Sequence, residues 1–283
     1  MQELRDHASP CGFDSTVAPD AKTRRGTFPN GSCSLIAVIC FPSNLMAPLI
    51  IIDVGLLSWS DAYALQQRIV AARKAGAIDD VLLFCEHPHV LTLGRNASQK
   101  NLLASEHVLR QKNVELRETN RGGDITYHGP GQVVGYPILN LDPIRRDVHW
   151  YVRTLEEAMI RASADFGITA YRILGKTGIW VQPPGNIPEE KLAAIGVHIS
   201  RWVTSHGFAF NVSTDLRYFD LIIPCGIADR KATSLEKLLH RNVSLDEVKP
   251  RLTHHLADLF SLTPHELSSQ QLLAALDCVR PAF

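Results

Sequence analysis

The sequence predicts an α+β fold, a largely antiparallel mixed sheet flanked by helices, within a chain of 283 residues. Three observations carry that expectation. Short apolar runs are separated by hairpin-sized connections, as in antiparallel sheets. Two long segments repeat with helical period. The elements come in the order helix, strands, helix, strands, helices, so the strict strand–helix alternation of a doubly wound nucleotide fold is missing.

Leu49 to Val54 reads as the first strand. Ser58-Trp-Ser-Asp61 then opens a helix with a side-chain oxygen at the cap, Ala62, Leu65, Ile69 and Ala72 recur on one stripe, and Gly76 closes it. Strands are expected at Val81–Cys85, Val90–Leu93, Val114–Glu118, Asp124–Tyr127 and Val133–Leu139. A second long helix runs from Asp147 to Phe166, with Val148, Tyr151, Leu155, Met159 and Ala162 on its apolar stripe. Further strands follow at Ala170–Ile173, Gly178–Val181, Leu192–Ile199 and Val203–Val212. Thr233-Ser-Leu-Glu236 and Ser244-Leu-Asp-Glu247 both have capping-box form, so the C-terminal part reads as helical. Residues 1–45 carry scattered Pro, Ser and Gly without a sustained period and are expected to form a disordered extension. Met46 stands directly before the organised sequence as an alternative start, and residues 46–283 read as one domain.

Composition excludes several classes. Lys plus Arg number 29 and Asp plus Glu 29, so there is no global field to attract nucleic acid or an anionic membrane, and neither is an expected partner. No stretch approaches the roughly 18–20 apolar residues of a membrane span. Six cysteines at irregular spacings do not make a disulfide framework, and the expected setting is cytoplasmic.

The densest chemistry lies in Arg121-Gly-Gly-Asp-Ile-Thr-Tyr-His-Gly-Pro-Gly-Gln-Val-Val-Gly-Tyr136. Its glycines let the backbone approach a ligand closely, and its polar side chains exceed what a turn needs. Gly175-Lys-Thr177 resembles the end of a phosphate loop, but the required earlier glycine is Ala170 and no strand runs into a helix there. His87-Pro-His89, His128 and His206 lack metal-ligand spacing, so no metal site is expected. Cys11, Cys33 and Cys40 fall in the extension, Cys85 inside an apolar strand, and Cys278 in a C-terminal helix. Cys225 differs, because Pro224 and Gly226 set it on a sharp bend after an apolar run, where a thiol projects at a defined place. A nucleophilic thiol there and a bland turn cysteine both remain open. A thiol needs a base, and Lys191 stands at the mouth of the apolar strand Leu192-Ala-Ala-Ile-Gly196. Partial desolvation would lower its pKa and suit it to that task.

Taken together, these motifs resemble the octanoyltransferase family of lipoate biosynthesis. The resemblance rests on the Arg121–Tyr136 segment, Glu86-His-Pro88 with Leu93-Gly-Arg95, Lys191-Leu-Ala-Ala-Ile-Gly196, His206-Gly-Phe-Ala-Phe-Asn211 and Pro224-Cys-Gly226, spread over about residues 49–260. It implies the biotin/lipoate protein ligase-like catalytic fold. It also implies transfer of octanoyl from acyl carrier protein to a lysine on lipoyl domains of 2-oxoacid dehydrogenases or the glycine cleavage H protein. By the same resemblance Cys225 is the acyl-thioester nucleophile and Lys191 the general acid/base. Arg121, Gly122, Gly123, Asp124, Ile125, Thr126, Tyr127, His128, Ala194, Ile195, Gly196, His206, Gly207 and Phe208 would line the acyl and pantetheine site. No cofactor is implied, since the acyl group arrives on the carrier's phosphopantetheine. An ATP-dependent ligase of this fold activates a free acid and needs no cysteine. A cysteine enzyme shuttling octanoyl between lipoyl domains is a nearer variant, and a non-catalytic binding module would need neither Cys225 nor Lys191. Acidic partners would meet local basic groups such as Arg95, Arg121, Arg145 and Arg146.

Overall fold

In a computed structural model, the structure describes residues 46–185, 187–223 and 231–278. The expected extension and Cys225 lie outside the described residues. Strand β1 (Ala47–Leu56), helix α1 (Trp59–Lys74) and strand β2 (Asp80–Glu86) form a parallel unit, β1 pairing with β2 in parallel. Then come β3 (Val90–Leu93), α2 (Glu106–Gln111), β4 (Glu115–Glu118), β5 (Ile125–His128), β6 (Gln132–Ile138) and α3 (Val148–Ala164). They are followed by β7 (Ala170–Ile173), β8 (Lys176–Val181), β9 (Glu190–Ser200) and β10 (Val203–Asn211). The C-terminal part holds α4 (Leu235–Leu239), α5 (Leu245–Phe260), β11 (Leu262–Glu266) and α6 (Ser269–Asp277).

The expected single sheet is in fact two. Eight strands lie in the order β11-β1-β2-β6-β10-β9-β8-β7, antiparallel from β2 to β7 and parallel at the β11-β1-β2 edge. Three short strands form a second sheet, β4-β3-β5. The division falls inside the glycine-rich segment: β5 pairs with β3 and β6 with β2, so the turn between them carries the chain from one sheet to the other. Glu86 Oε1 accepts from Gly131 N at 2.6 Å and pins that turn.

Strand β2 explains its own unbroken apolar run. Leu82 and Phe84 face a core shared with α3 and α5, whereas Val81, Leu83 and Cys85 face a second core under α1 and α6. A strand covered on both faces has no solvent side to make polar. Burial pushes the Cys85 thiol pKa up, which fits a packing residue and not a nucleophile.

Helix starts follow side-chain caps. Ser58 accepts from Asp61 N, Asp147 from Trp150 N, and Ser244 forms a full capping box with Glu247. The expected box at Thr233 is displaced by one residue: Ser234 caps α4, and Thr233 is buried with its carbonyl accepting from Asn211. Strand β11 was not expected. It is an edge strand, where Pro264 loses no ladder bond that matters, and its exposed face carries no apolar alternation. No helix among the described residues is long and apolar enough to cross a membrane.

One buried acid shapes the sheet's far edge. Glu156 of α3 is fully buried, paired with Arg153 at 2.6 Å and Arg172 at 3.1 Å, and its Oε1 accepts from Gly178 N at 3.0 Å. It fastens the β7–β8 hairpin to the helix.

Candidate active site

A cavity of about 630 Å³ opens along β9. It gathers Lys191 with every expected lining residue except Tyr127: residues 121–126 and 128, Ala194 to Gly196, and His206 to Phe208. Tyr127 points to the other side of β5, its hydroxyl 2.8 Å from His89 Nδ1 and its ring stacked on Tyr218. Tyr127 packs in a small core with Ile125, Leu91 and Leu221, on the face of β5 opposite Thr126 and His128.

Arg121 is buried and lies across Gly196, whose added Cβ would stand 2.9 Å from Arg121 Cδ. Its guanidinium donates to Thr92 O at 2.6 Å, Thr92 Oγ1 at 2.9 Å and Gly122 O at 3.1 Å. This corrects its expected part as a surface group for acidic partners: Arg121 holds the cavity wall. Arg145 and Arg146 are engaged by Asp147 and Asp142 respectively.

The donor and acceptor assignments beyond Arg121 follow from a fixed end. The Thr233 carbonyl can only accept, so Asn211 presents Nδ2 to it at 3.0 Å. Asn211 Oδ1 then accepts from Gln132 Nε2 at 2.9 Å, and Gln132 Oε1 accepts the Nδ1 proton of His128 at 2.8 Å. That leaves His128 Nε2 as the acceptor facing Thr92 Oγ1 at 3.4 Å. Burial, with His87 and Arg121 beside it, lowers the His128 pKa to about 3. The ring is therefore a neutral spacer at neutral pH. His87, outside the cavity, is held locally: its Nδ1 donates to Leu57 O at 2.8 Å and its Nε2 accepts from Tyr136.

His206, within β10, has a left-handed backbone, φ 55°. A residue of this kind held there costs about 1–3 kcal/mol and persists only when its surroundings fix it. They do: its N donates to Gln66 Oε1 at 3.0 Å, its Nε2 meets Asn120 Oδ1 at 2.6 Å, and its ring stacks on Tyr63. Burial, then the charge of Arg121, pushes its pKa down to about 3. Neither cavity histidine can trade protons near neutrality.

Lys191 is half-buried, with Nζ 4.7 Å from the centre of the Trp180 ring. Its main-chain N donates to Lys231 O at 2.8 Å and its O accepts from Thr233 N at 2.9 Å. The side chain is thus aimed by a ring beneath it and by a strand-like pairing on its backbone. Cys225, expected as its nucleophilic partner, lies outside the described residues. Among the described residues, no group of three or more His, Cys, Asp or Glu could hold a metal ion.

Several wall residues had no part in the expected site. Gly175, Lys176 and Thr177 form a hairpin rim, not a phosphate loop, and Lys176 Nζ lies 5.8 Å from the same Trp180 ring. Val148 and Val152 come from α3, and Asn96 follows β3. The Gly-Lys-Thr run was the only local signal among them, and it pointed to different chemistry.

Fold and cavity together define a catalytic domain of the lipoyl protein ligase class. The profile of the lipoyl protein ligase A/B catalytic domain matches residues 59–257. A bipartite lipoate protein ligase from Thermoplasma acidophilum shares the fold at 15% identity and TM-score 0.63, over 82% of this chain and 91% of that one. A lipoate-protein ligase A solved with ATP superposes with TM-score 0.61 at 14% identity, over 82% and 93%. The octanoyltransferase of Acidobacterium capsulatum is 55% identical over 193 residues, 66% of this chain and 78% of that protein. Those of Solibacter usitatus and Cytophaga hutchinsonii are 53% and 45% identical, over 74% and 77% of this chain and 91% and 95% of theirs. The chain belongs to the octanoyltransferase family and is an acyltransferase of lipoate biosynthesis and protein lipoylation.

Proposed function

We propose that the protein moves octanoyl from acyl carrier protein to a lysine ε-amine on lipoyl domains, through a thioester on Cys225. Lys191 takes the Cys225 thiol proton as sulfur attacks the donor carbonyl. The tetrahedral intermediate collapses with loss of the phosphopantetheine sulfur, which receives that proton from Lys191. In the second half the acceptor amine attacks the enzyme thioester, Lys191 takes a proton from the amine, and the departing Cys225 sulfur regains it. Such proton transfer is typically worth about 10²–10⁴ in rate.

The observation that carries this reading is the placement of Lys191. On the cavity wall its backbone is bound to residues 231 and 233, and Cys225 stands six residues before Lys231 in the sequence. Burial makes both cavity histidines weak bases, which supports giving the proton transfer to Lys191. Thioester donor and thioester intermediate are close in energy and the amide product lies downhill, so no nucleotide is needed. A cytoplasmic setting, where thiols stay reduced, suits a working cysteine.

The test is ATP-free transfer of octanoyl from octanoyl-carrier protein to an unmodified lipoyl domain. Wild type should complete it and Lys191→Ala should not. Substantial transfer by the variant would remove Lys191 from the proton-transfer role.

A further inference from the structure

Among the described residues Trp180 is the largest fully buried side chain, yet it belongs to none of the three apolar cores. Its neighbours on β8, Ile179 and Val181, pack in the core under α3 and α5, so the indole points to the other face of the sheet. Two lysines lie over it. Lys191 Nζ stands 4.7 Å and Lys176 Nζ 5.8 Å from the ring centre, within the roughly 6 Å over which a ring face attracts an ammonium. The indole N–H donates to Lys176 O at 3.3 Å and sets the direction of the ring.

The pairing of β8 with β9 brings Lys191 to this ring. Ile179 stands opposite Ala193, whereas Trp180 stands opposite Lys191 and Val181 opposite Glu190. The register steps by one residue, and Leu192 is the extra residue on β9. In unbroken register Lys191 would face Val181, on the side of the sheet that packs under α3. The step turns it instead to the face of Trp180, as a bulge re-aims a side chain. Leu192 and Ala193, consecutive in sequence, both pack in the core under α3, which regular alternation would forbid. The strands close on each other at the step: Gly178 has φ 108°, and a Cβ on it would collide with Ala193 O. Trp180 is thus the cross-strand neighbour of Lys191, and such pairs stand about 4.5–5.5 Å apart at Cβ.

We propose that Trp180 is the positioning residue that holds Lys191 for acyl transfer, and that the step at Leu192 is what sets the two side by side. The inference rests on the proton-transfer reading of Lys191 above. A lysine stem is long and flexible. A proton-transfer group works only within hydrogen-bond reach of its proton, and a misplacement of about 1 Å can cost about 10²-fold in rate. The ring face attracts the ammonium, the form that carries the proton between its removal from one group and its delivery to the next. An apolar side chain of similar bulk would fill the space without directing the charge.

The test compares Trp180→Phe with Trp180→Met in the ATP-free transfer assay. Both remove the indole N–H and leave side chains of similar bulk, but only phenylalanine keeps a ring face. Trp180→Met should lower kcat about 10–100-fold with KM for octanoyl-carrier protein within about twofold of wild type. Trp180→Phe should restore kcat to within about fivefold of wild type, although denaturant titration shows the two variants equally destabilised. Equal kcat in the two would show that the indole only fills space and would overturn the proposal. Wild type gives a second measurement that needs no folded variant at position 180. The ε-methylene protons of Lys191, assigned by their loss in Lys191→Ala, should resonate upfield of ordinary lysines through the ring current of Trp180; an ordinary shift would overturn the proposal. Lys191→Ala in the same transfer assay separates the two readings. Substantial transfer by it refutes the proton-transfer role, whereas equal Phe and Met kinetics beside an inactive Lys191→Ala refute the role of the ring alone.

Discussion

Asn211 Nδ2 donates to the Thr233 carbonyl at 3.0 Å, and this bond joins strand β10 to the segment that flanks the backbone of Lys191. Through Gln132 and His128 the same chain of hydrogen bonds reaches Thr92 and Arg121 on the opposite wall. The position of Lys191 is therefore tied to the glycine-rich segment by side chains that never enter the reaction.

Asn211→Ala should break that tie. Gln132 would lose an acceptor and the Thr233 carbonyl its donor, each in a buried site. A stability loss of about 1–3 kcal/mol is expected from leaving such groups unpaired. Denaturant titration measures it, and kcat should fall with it while KM for the acceptor domain changes little. Full stability in Asn211→Ala would show that the chain does not hold the wall.

The two cavity histidines make stability depend on pH. Their folded pKa values of about 3 lie below the ordinary 6.5, so between these values the unfolded chain binds more protons than the folded one. Their contribution is complete above pH 6.5 and is lost as pH falls through that window toward 3. Thermal unfolding of wild type should drop steadily over it. His128→Gln, which keeps a donor for Gln132 but cannot titrate, should show a shallower slope.

Gly207 faces the Gly135 carbonyl so closely that any Cβ would collide with it, and with Pro137 Cδ at 2.6 Å. Backbone cannot move aside as a flexible side chain would. Gly207→Ala should unfold at clearly lower temperature, and Gly55→Ser, at the irregular end of β1 with no neighbour around its Cβ position, should cost less despite its positive φ. Equal losses would mean that crowding at Gly207 costs no more than the positive φ at Gly55.

Ala194 lines the cavity beside Ile195. Ala194→Leu fills part of the space with three carbons and should move the preferred acyl chain toward shorter donors. Each buried CH₂ contributes about 0.8 kcal/mol, so losing room for two would cut relative kcat/KM for octanoyl about tenfold. A competition assay between hexanoyl and octanoyl donors measures the shift; an unchanged ratio would place the acyl tail away from β9.

Much of this was legible in the sequence because it is local. The α1 and α3 stripes, the Ser58, Asp147 and Ser244 caps and the apolar strands follow from periodicity and side-chain chemistry within a few residues. Lys191 at a strand mouth and the glycine-rich wall were readable in the same way. The rest depends on distant partners. Nothing near β3 and β5 says that they leave the main sheet, nor does the sequence around β11 reveal that β1 is waiting for it. That Arg121, expected on the site wall, is buried against Thr92 and Gly196 depends on segments remote from it in the sequence.

The central claim is a covalent octanoyl-enzyme on Cys225, and intact-mass spectrometry after incubation with octanoyl-carrier protein and no acceptor tests it most directly. The expected result is a single octanoyl adduct on wild type that hydroxylamine removes and Cys225→Ala lacks. No adduct on wild type, or an undiminished adduct on Cys225→Ala, would contradict it.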